Sequence, residues 1–278
     1  MSRFDTTRGR LQLERAKEMI KFWMFVVLMA ALLITCMVSC SRCDGCSGDG
    51  CSCGGDDTSG TDTVVEEKYV DREALRDVAS YPRLINATNL LSPDYEPPEL
   101  TYLRGMPDGT TIQMNFDAAT AFTELYHAML DDGMAIIPLS GYRTYQEQLD
   151  IYEYNIKLHI AEGMSEEAAR EYTLRFVALP GTSEHQYGRS IDVTIDGTTN
   201  HSFQKTDQGK WLIEHAHEFG FVLRYPEDKE EITGIAYEPW HLRYVGLETA
   251  DYMHKYDLCL EEYVSYVKIE NPYAYSEP

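Results

Sequence analysis

Beyond residue 53 this 278-residue chain holds a single cysteine, Cys259, so no disulfide can form within the region that folds. Its stability has to come from packing, with or without the help of a metal. Basic residues are scarce too, with 24 Lys and Arg against 46 Asp and Glu, and six of those bases (Arg3, Arg8, Arg10, Arg15, Lys17, Lys21) fall before residue 40. The chain beyond residue 40 carries 18 bases and 43 acids. Such a body repels phosphate backbones, and no basic patch offsets the charge, which excludes nucleic acid as a partner. There is no Gly-rich phosphate loop and no internal repeat, which removes the nucleotide-binding and solenoid classes.

What is present divides unevenly along the chain. Phe22 to Val38 is an uncharged, apolar run of 17 residues behind a net-basic segment, at the short end of what spans a bilayer. The charge bias places residues 1–21 in the cytoplasm and the remainder outside. Two readings stay open: a retained single-span anchor over residues 22–40, or a lipoprotein-type signal cleaved at Cys40, since Met37-Val38-Ser39-Cys40 resembles a loose lipobox. Residues 41–63 are rich in Gly, Ser, Asp and Cys, cannot collapse into a core, and read as a flexible linker. Cys43, Cys46, Cys51 and Cys53 are spaced for a metal but lack histidine partners and a folded frame, so an oxidised, lipidated or incidental tether is the plainer reading.

From residue 64 the composition becomes that of a globular domain, running to residue 278. The spacing predicts a short charged helix over Val64 to Ala79, an ordered lead-in over residues 81–86 and an extended Pro-containing run over residues 91–98. A helix over Ala118 to Asp132 should end at Gly133, with Ala121, Leu125, Ala128 and Met129 on one face. Met134 to Leu139 reads as a buried strand. Helices are expected over Tyr145 to Ala161, from an N-cap at Ser165, and over Lys210 to Phe219 with Gly220 as the stop; Ser190 to Ile195 and Phe221 to Tyr225 are β-like. The alternation indicates a compact α+β domain with no fixed topology.

One constellation carries chemistry. His185 and Asp192 stand seven residues apart across a turn, with Gly188 between them free to bend sharply, and both could converge on one ion. Far downstream, His241 supplies a second imidazole and Glu238 a carboxylate three residues earlier. Two neutral imidazoles and a carboxylate suit a catalytic zinc with one position left for water, and a carboxylate beside it could move a proton from that water to a leaving amine. Each residue alone is weak, since a lone histidine is more often structural.

Ser140-Gly141-Tyr142-Arg143-Thr144 with Gln148, Ser183-x-His185-x-x-Gly188-x-x-x-Asp192, Gly220-Phe221-Val222-Leu223-Arg224-Tyr225-Pro226 and Glu238-Pro239-Trp240-His241-x-Arg243-Tyr244 together resemble the VanY-type D-alanyl-D-alanine carboxypeptidases, in order, over about residues 82–250. The resemblance implies a small α+β domain with a central antiparallel sheet flanked by helices. It implies zinc held by His185, Asp192 and His241, with Glu238 as general base. Arg143 would hold the substrate and stabilise charge, while Gln148 and Ser183 position the peptide terminus. The implied substrate is a peptidoglycan stem peptide ending in D-Ala, cleaved outside the membrane by what is expected to be a monomeric domain. The alternatives are an L,D-carboxypeptidase acting on tetrapeptide stems, a non-catalytic wall-binding module and a general surface protease. Trp240 reads as packing, as do Tyr142 and Tyr187. His127, His159, His201, His215, His217 and His254 read as structural or exposed, and Cys259 as a small buried residue.

Overall fold

The computed structural model describes residues 70–103 and 111–278, all within one compact unit, Val65–Pro278. The expected membrane segment, the linker and residues 64–69 lie outside the described residues; among those described, no helix is long and apolar enough to cross a membrane.

At the centre is a four-stranded antiparallel sheet of β4 (Ile137–Ser140), β5 (Ser190–Thr194), β6 (Phe221–Leu223) and β7 (His241–Tyr244), in the order β4-β5-β7-β6. Every residue of β5 is buried, as suits a central strand covered on both faces. Ahead of the sheet come β1 (Ser80–Tyr81), β2 (Leu100–Tyr102) and β3 (Gln113–Asn115); β2 and β3 form a hairpin, and β1 pairs in parallel with the C-terminal β8 (Tyr275–Ser276).

Helix α1 (Phe116–Asp131) packs on one face of the sheet. Its start is fixed by Asn115, whose side chain accepts the Asp117 backbone N–H, and Gly133 follows at φ +75°. The core face is centred on Ala118, Phe122, Leu125, Tyr126 and Met129, with the expected Ala121 and Ala128 at its flanks. These side chains meet Ile191, Val193, Phe221 and Leu242 from the sheet, forming the main core. Helix α2 (Tyr145–Ala161) begins and ends where the sequence predicts, held by a reciprocal capping box between Thr144 and Glu147. Helix α3 (Glu166–Leu174) is capped by Ser165 as expected. Helix α4 (Asp207–His215) runs on through a 3-10 turn to Gly220 at φ +77°. After the short α5 (Glu230–Thr233), helices α6 (Leu247–Tyr256) and α7 (Leu260–Glu270) build a second apolar cluster with Leu75, Tyr81 and Val222.

Two expectations are corrected. Within Val70 to Ala79 the chain forms only a 3-10 turn, Glu73–Leu75: Leu75 alone is fully buried in the second cluster, Val70 and Val78 pack only partly against it, and the chain then runs on into β1. Met134 to Leu139 is not a buried strand either. Strand β4 starts at Ile137 and forms the sheet edge, so Ile137 and Leu139 stay 38% and 40% exposed, and Pro138 is tolerated because the edge needs no further donor.

Candidate active site

Two of the four residues that matter most are brought together by the sheet register. Asp192 on β5 lies directly opposite His241 on β7 and opposite Ser140 at the end of β4, which places the carboxylate and imidazole as cross-strand neighbours. His185 arrives from the 3-10 turn Glu184–Tyr187, which is closed by Gly188 at φ +77°. A side chain at Gly188 would be strained there and would meet Pro97 Cγ at 2.9 Å. Gly188→Ala should therefore lower stability by about 1–2 kcal/mol or more, read as a fall in Tm. An unchanged Tm would show that the turn does not depend on the left-handed residue.

One ligand-type atom from each of His185, Asp192 and His241 lies within 4.8 Å of the other two, and all three residues are buried. His185 Nδ1 contacts the Gly141 carbonyl oxygen at 2.7 Å, which fixes the proton there and leaves Nε2 facing Asp192 Oδ2 at 3.2 Å. His241 Nδ1 sits 3.0 Å from Asp192 Oδ1, with the two imidazole planes at 85°. Burial works against the Asp192 charge, but the two histidines outweigh it and hold the carboxyl well below its usual range. Burial, aided by the Arg143 charge, depresses His185 to about 4. Burial also opposes charge on His241, yet the Asp192 and Glu184 carboxylates prevail and raise it to about 9. A ligating imidazole must be neutral, so a dication here would take the place of the proton that Asp192 draws to His241. Two N donors and one O donor, each with a lone pair available toward a common point, fit zinc.

Glu238 is brought in by the turn that precedes β7. Its backbone N–H bonds to the Tyr225 carbonyl, its own carbonyl accepts the His241 N–H, and its carboxylate Oε2 lies 3.8 Å from His241 Nδ1. It is close enough to stand over the three-ligand point without joining it. Burial pushes its pKa up to about 8, with the nearby Asp192 charge adding to the effect.

Arg143, Gln148 and Ser183 line the same cavity, of about 400 Å³, with His185, Asp192, Glu238 and His241. Arg143 sits just ahead of the Thr144 cap, its backbone N–H bonded to the His185 carbonyl, and its buried Nε has no protein partner. Gly141 is needed beside it because a Cβ there would strike the Gln113 carbonyl oxygen. Gln148 donates to the Ala178 carbonyl at 2.7 Å, while its Oε1 is buried and unpaired. Unsatisfied buried polar atoms on a cavity wall are costly unless something enters to satisfy them.

With that arrangement in view, the known proteins it resembles decide the family. The family model described as VanY, D-alanyl-D-alanine carboxypeptidase, matches residues 111–247. A D-alanyl-D-alanine carboxypeptidase of Enterococcus faecalis is 37% identical over 182 residues, 66% of this chain and 65% of that one. A solved structure of a mutant of the vancomycin resistance D,D-pentapeptidase VanY, from a VanB-type resistance cassette and in complex with Zn(II), is 37% identical with a TM-score of 0.58, over 66% of this chain and 97% of that chain. This chain belongs to the VanY family. The LD-carboxypeptidase LdcB is also similar, at 34% identity and a TM-score of 0.58, over 66% of this chain and 86% of that chain. The chain thus spans just under two thirds of the enterococcal relative, and the residues matched by the family model include His185, Asp192, Glu238 and His241.

The remaining residues fall as the sequence suggested, with additions. Tyr187 is core, not pocket, and Cys259 is buried, its thiol pushed up to about 12 by burial. Trp240 packs against the core but also reaches the cavity wall, stacked on His201 at 5.6 Å. His217 and His254 stack on each other at 3.7 Å in a separate cleft, and no residue of that pair joins a metal-type cluster among the described residues. Two residues at the site were not singled out from the sequence, one on the cavity wall and one behind it. Tyr225 lines the cavity with its ring 5.0 Å from that of His241, and Glu184 lies buried behind the ligands. The signal for Glu184 was present in Arg224, which directly follows the apolar β6, and Arg243 within β7, two cations at β positions that imply a buried anion.

Proposed function

We propose that the protein is a zinc carboxypeptidase that hydrolyses the C-terminal D-Ala from peptidoglycan stem peptides. The observation that carries this reading is the meeting of His185, Asp192 and His241 beside Glu238 in a cavity whose wall offers an unpaired Arg143 Nε. Zinc held by those three residues supplies Lewis acidity and makes water acidic enough to serve as a nucleophile near neutral pH. The Arg143 guanidinium pairs with the free carboxylate of the substrate or with the negative oxygen of the tetrahedral stage. Gln148 Oε1 and Ser183 orient the terminal residue. Glu238 accepts a proton at its carboxylate from the attacking water and returns it to the departing amine. The peptide C–N bond breaks, a C–O bond forms, and free D-alanine leaves with the proton. A carboxyl whose pKa lies near neutrality is suited to both halves of that transfer.

The likeness to LdcB, an LD-carboxypeptidase, favours one second reading, removal of D-Ala from tetrapeptide stems by the same four residues of this chain. Incubating the protein with purified tetra- and pentapeptide stems, with and without chelator, tests both. D-alanine released from the pentapeptide alone, and lost on chelation, is the expected result; release from the tetrapeptide alone assigns the L,D activity, and no release from either removes the enzymatic reading. The basic N-terminal segment ahead of the Phe22 to Val38 run supports a placement in which the chain is held at the cell membrane, by a span or a lipid, with the catalytic domain outside.

A further inference from the structure

Behind the three ligands lies a fully buried set of charges. Glu184 Oε1 takes a hydrogen bond from Arg224 Nε at 2.7 Å and an ion-pair contact from Arg243 Nη1 at 2.8 Å. Arg224 spends its two remaining nitrogens on Glu261 of α7, at 2.8 and 2.6 Å, and Arg243 donates to the Tyr244 and Arg83 carbonyls. Arg224 and Arg243 are 1% and 0% exposed, and Glu184 is 1% exposed. Burial of this kind stabilises little by itself and is strongly destabilising if one partner is removed. Its position suggests what it does instead. The second oxygen of Glu184, held by Ser190 Oγ at 3.2 Å, faces His241 Nε2 at 3.9 Å, and that Nε2 is buried with no hydrogen-bond partner.

A neutral imidazole carries one proton, on one of two nitrogens. His241 Nδ1, 3.0 Å from Asp192 Oδ1, lies on the side of the three-ligand cluster; with Nδ1 given to a metal there, the proton must reside on Nε2. The group that Nε2 faces is then Glu184. With a cation taking up the charge of Asp192, the opposite tautomer would leave a lone pair aimed at the Glu184 carboxylate in a dry interior, which is unfavourable. We propose that Glu184 is the positioning residue for His241: its carboxylate, locked by Arg224 and Arg243, selects the Nε2–H form and so presents Nδ1 to the metal. Glu184 touches no ligand-binding surface and acts only through His241. The inference rests on the zinc reading above and adds a residue that the three-ligand site does not contain.

The test is zinc affinity of the full chain, measured by competition with a chromophoric chelator, for the wild type, Glu184→Gln and Glu261→Gln. Glu184→Gln should weaken zinc binding by about 10–100-fold, the range for residues that orient a metal-bound histidine. Glu261→Gln also strips a partner from buried Arg224, so it lowers Tm, but it leaves the carboxylate facing His241 and should leave zinc affinity unchanged. Equal losses in both variants, or none in a folded Glu184→Gln, would overturn the proposal. Should Glu184→Gln fail to fold, the 15N spectrum of the zinc-loaded wild type decides: a proton on His241 Nε2 supports the assignment and a proton on Nδ1 refutes it. A wild type that binds no zinc would instead sink the metal reading itself.

Discussion

Replacing Glu238 by Gln is expected to lower kcat for D-alanine release by about 10²–10⁴-fold, the usual contribution of a positioned acid–base group, while zinc content stays at one per chain. The substitution keeps the shape of a buried side chain in the turn into β7, so the fold should survive. It removes the one property the reaction needs, a carboxylate able to take a proton and return it. Because Glu238 Oε2 stands 3.8 Å from His241 Nδ1 and is not one of the three ligands, metal binding is unaffected. KM should change little, since the group proposed to hold the substrate terminus is Arg143 on the same cavity wall. Full turnover in this variant would remove the mechanism.

Asp192→Asn should have an effect as large but different in kind. The amide fills the same volume between His185 and His241, yet it no longer offers the negative charge that both histidines face at 3.2 and 3.0 Å. Zinc content should fall well below one per chain, and activity should fall with it and return in part at high zinc. The variant should also be less stable than the metal-free wild type at neutral pH. The sign comes from the carboxyl's pKa, held below its unfolded value by the two histidines, so its stabilising contribution is full above the ordinary carboxylate range and is lost only as the pH falls through it. Thermal melts of both metal-free proteins at neutral pH check this; a variant as stable as the wild type would show that Asp192 is not held by the histidines.

The two predictions separate the proposed base from the proposed ligands, a division that the sequence already suggested. His185, Asp192, Glu238 and His241 sit in short motifs whose order and spacing match a known family, and the fold delivers them to one point because Asp192 and His241 occupy paired positions on adjacent strands. Helix α2 was legible to the residue because its limits are local: Thr144 and Glu147 cap each other within one turn. What escaped depends on partners far away in the chain. Strand β4 is apolar enough to look buried, but only its place at the sheet edge decides how much of it is covered. Val70 to Ala79 carries a helical composition, yet the second cluster claims Leu75 and the pairing of Ser80 with Tyr275 claims its end. Glu184 is one residue from a ligand in sequence, and its meaning lies in arginines 40 and 59 positions later, and in Glu261, which falls beyond the matched family region. A buried network of this kind leaves no period and no spacing to read.

The central claim is that a single ion is held by His185, Asp192 and His241. Diffraction from zinc-soaked crystals at the zinc absorption edge tests it most directly. The account predicts one anomalous peak at about 2.0–2.2 Å from His185 Nε2, an Asp192 carboxylate oxygen and His241 Nδ1, with Glu238 outside bonding distance. A peak held elsewhere, or one reached through His241 Nε2, would contradict it.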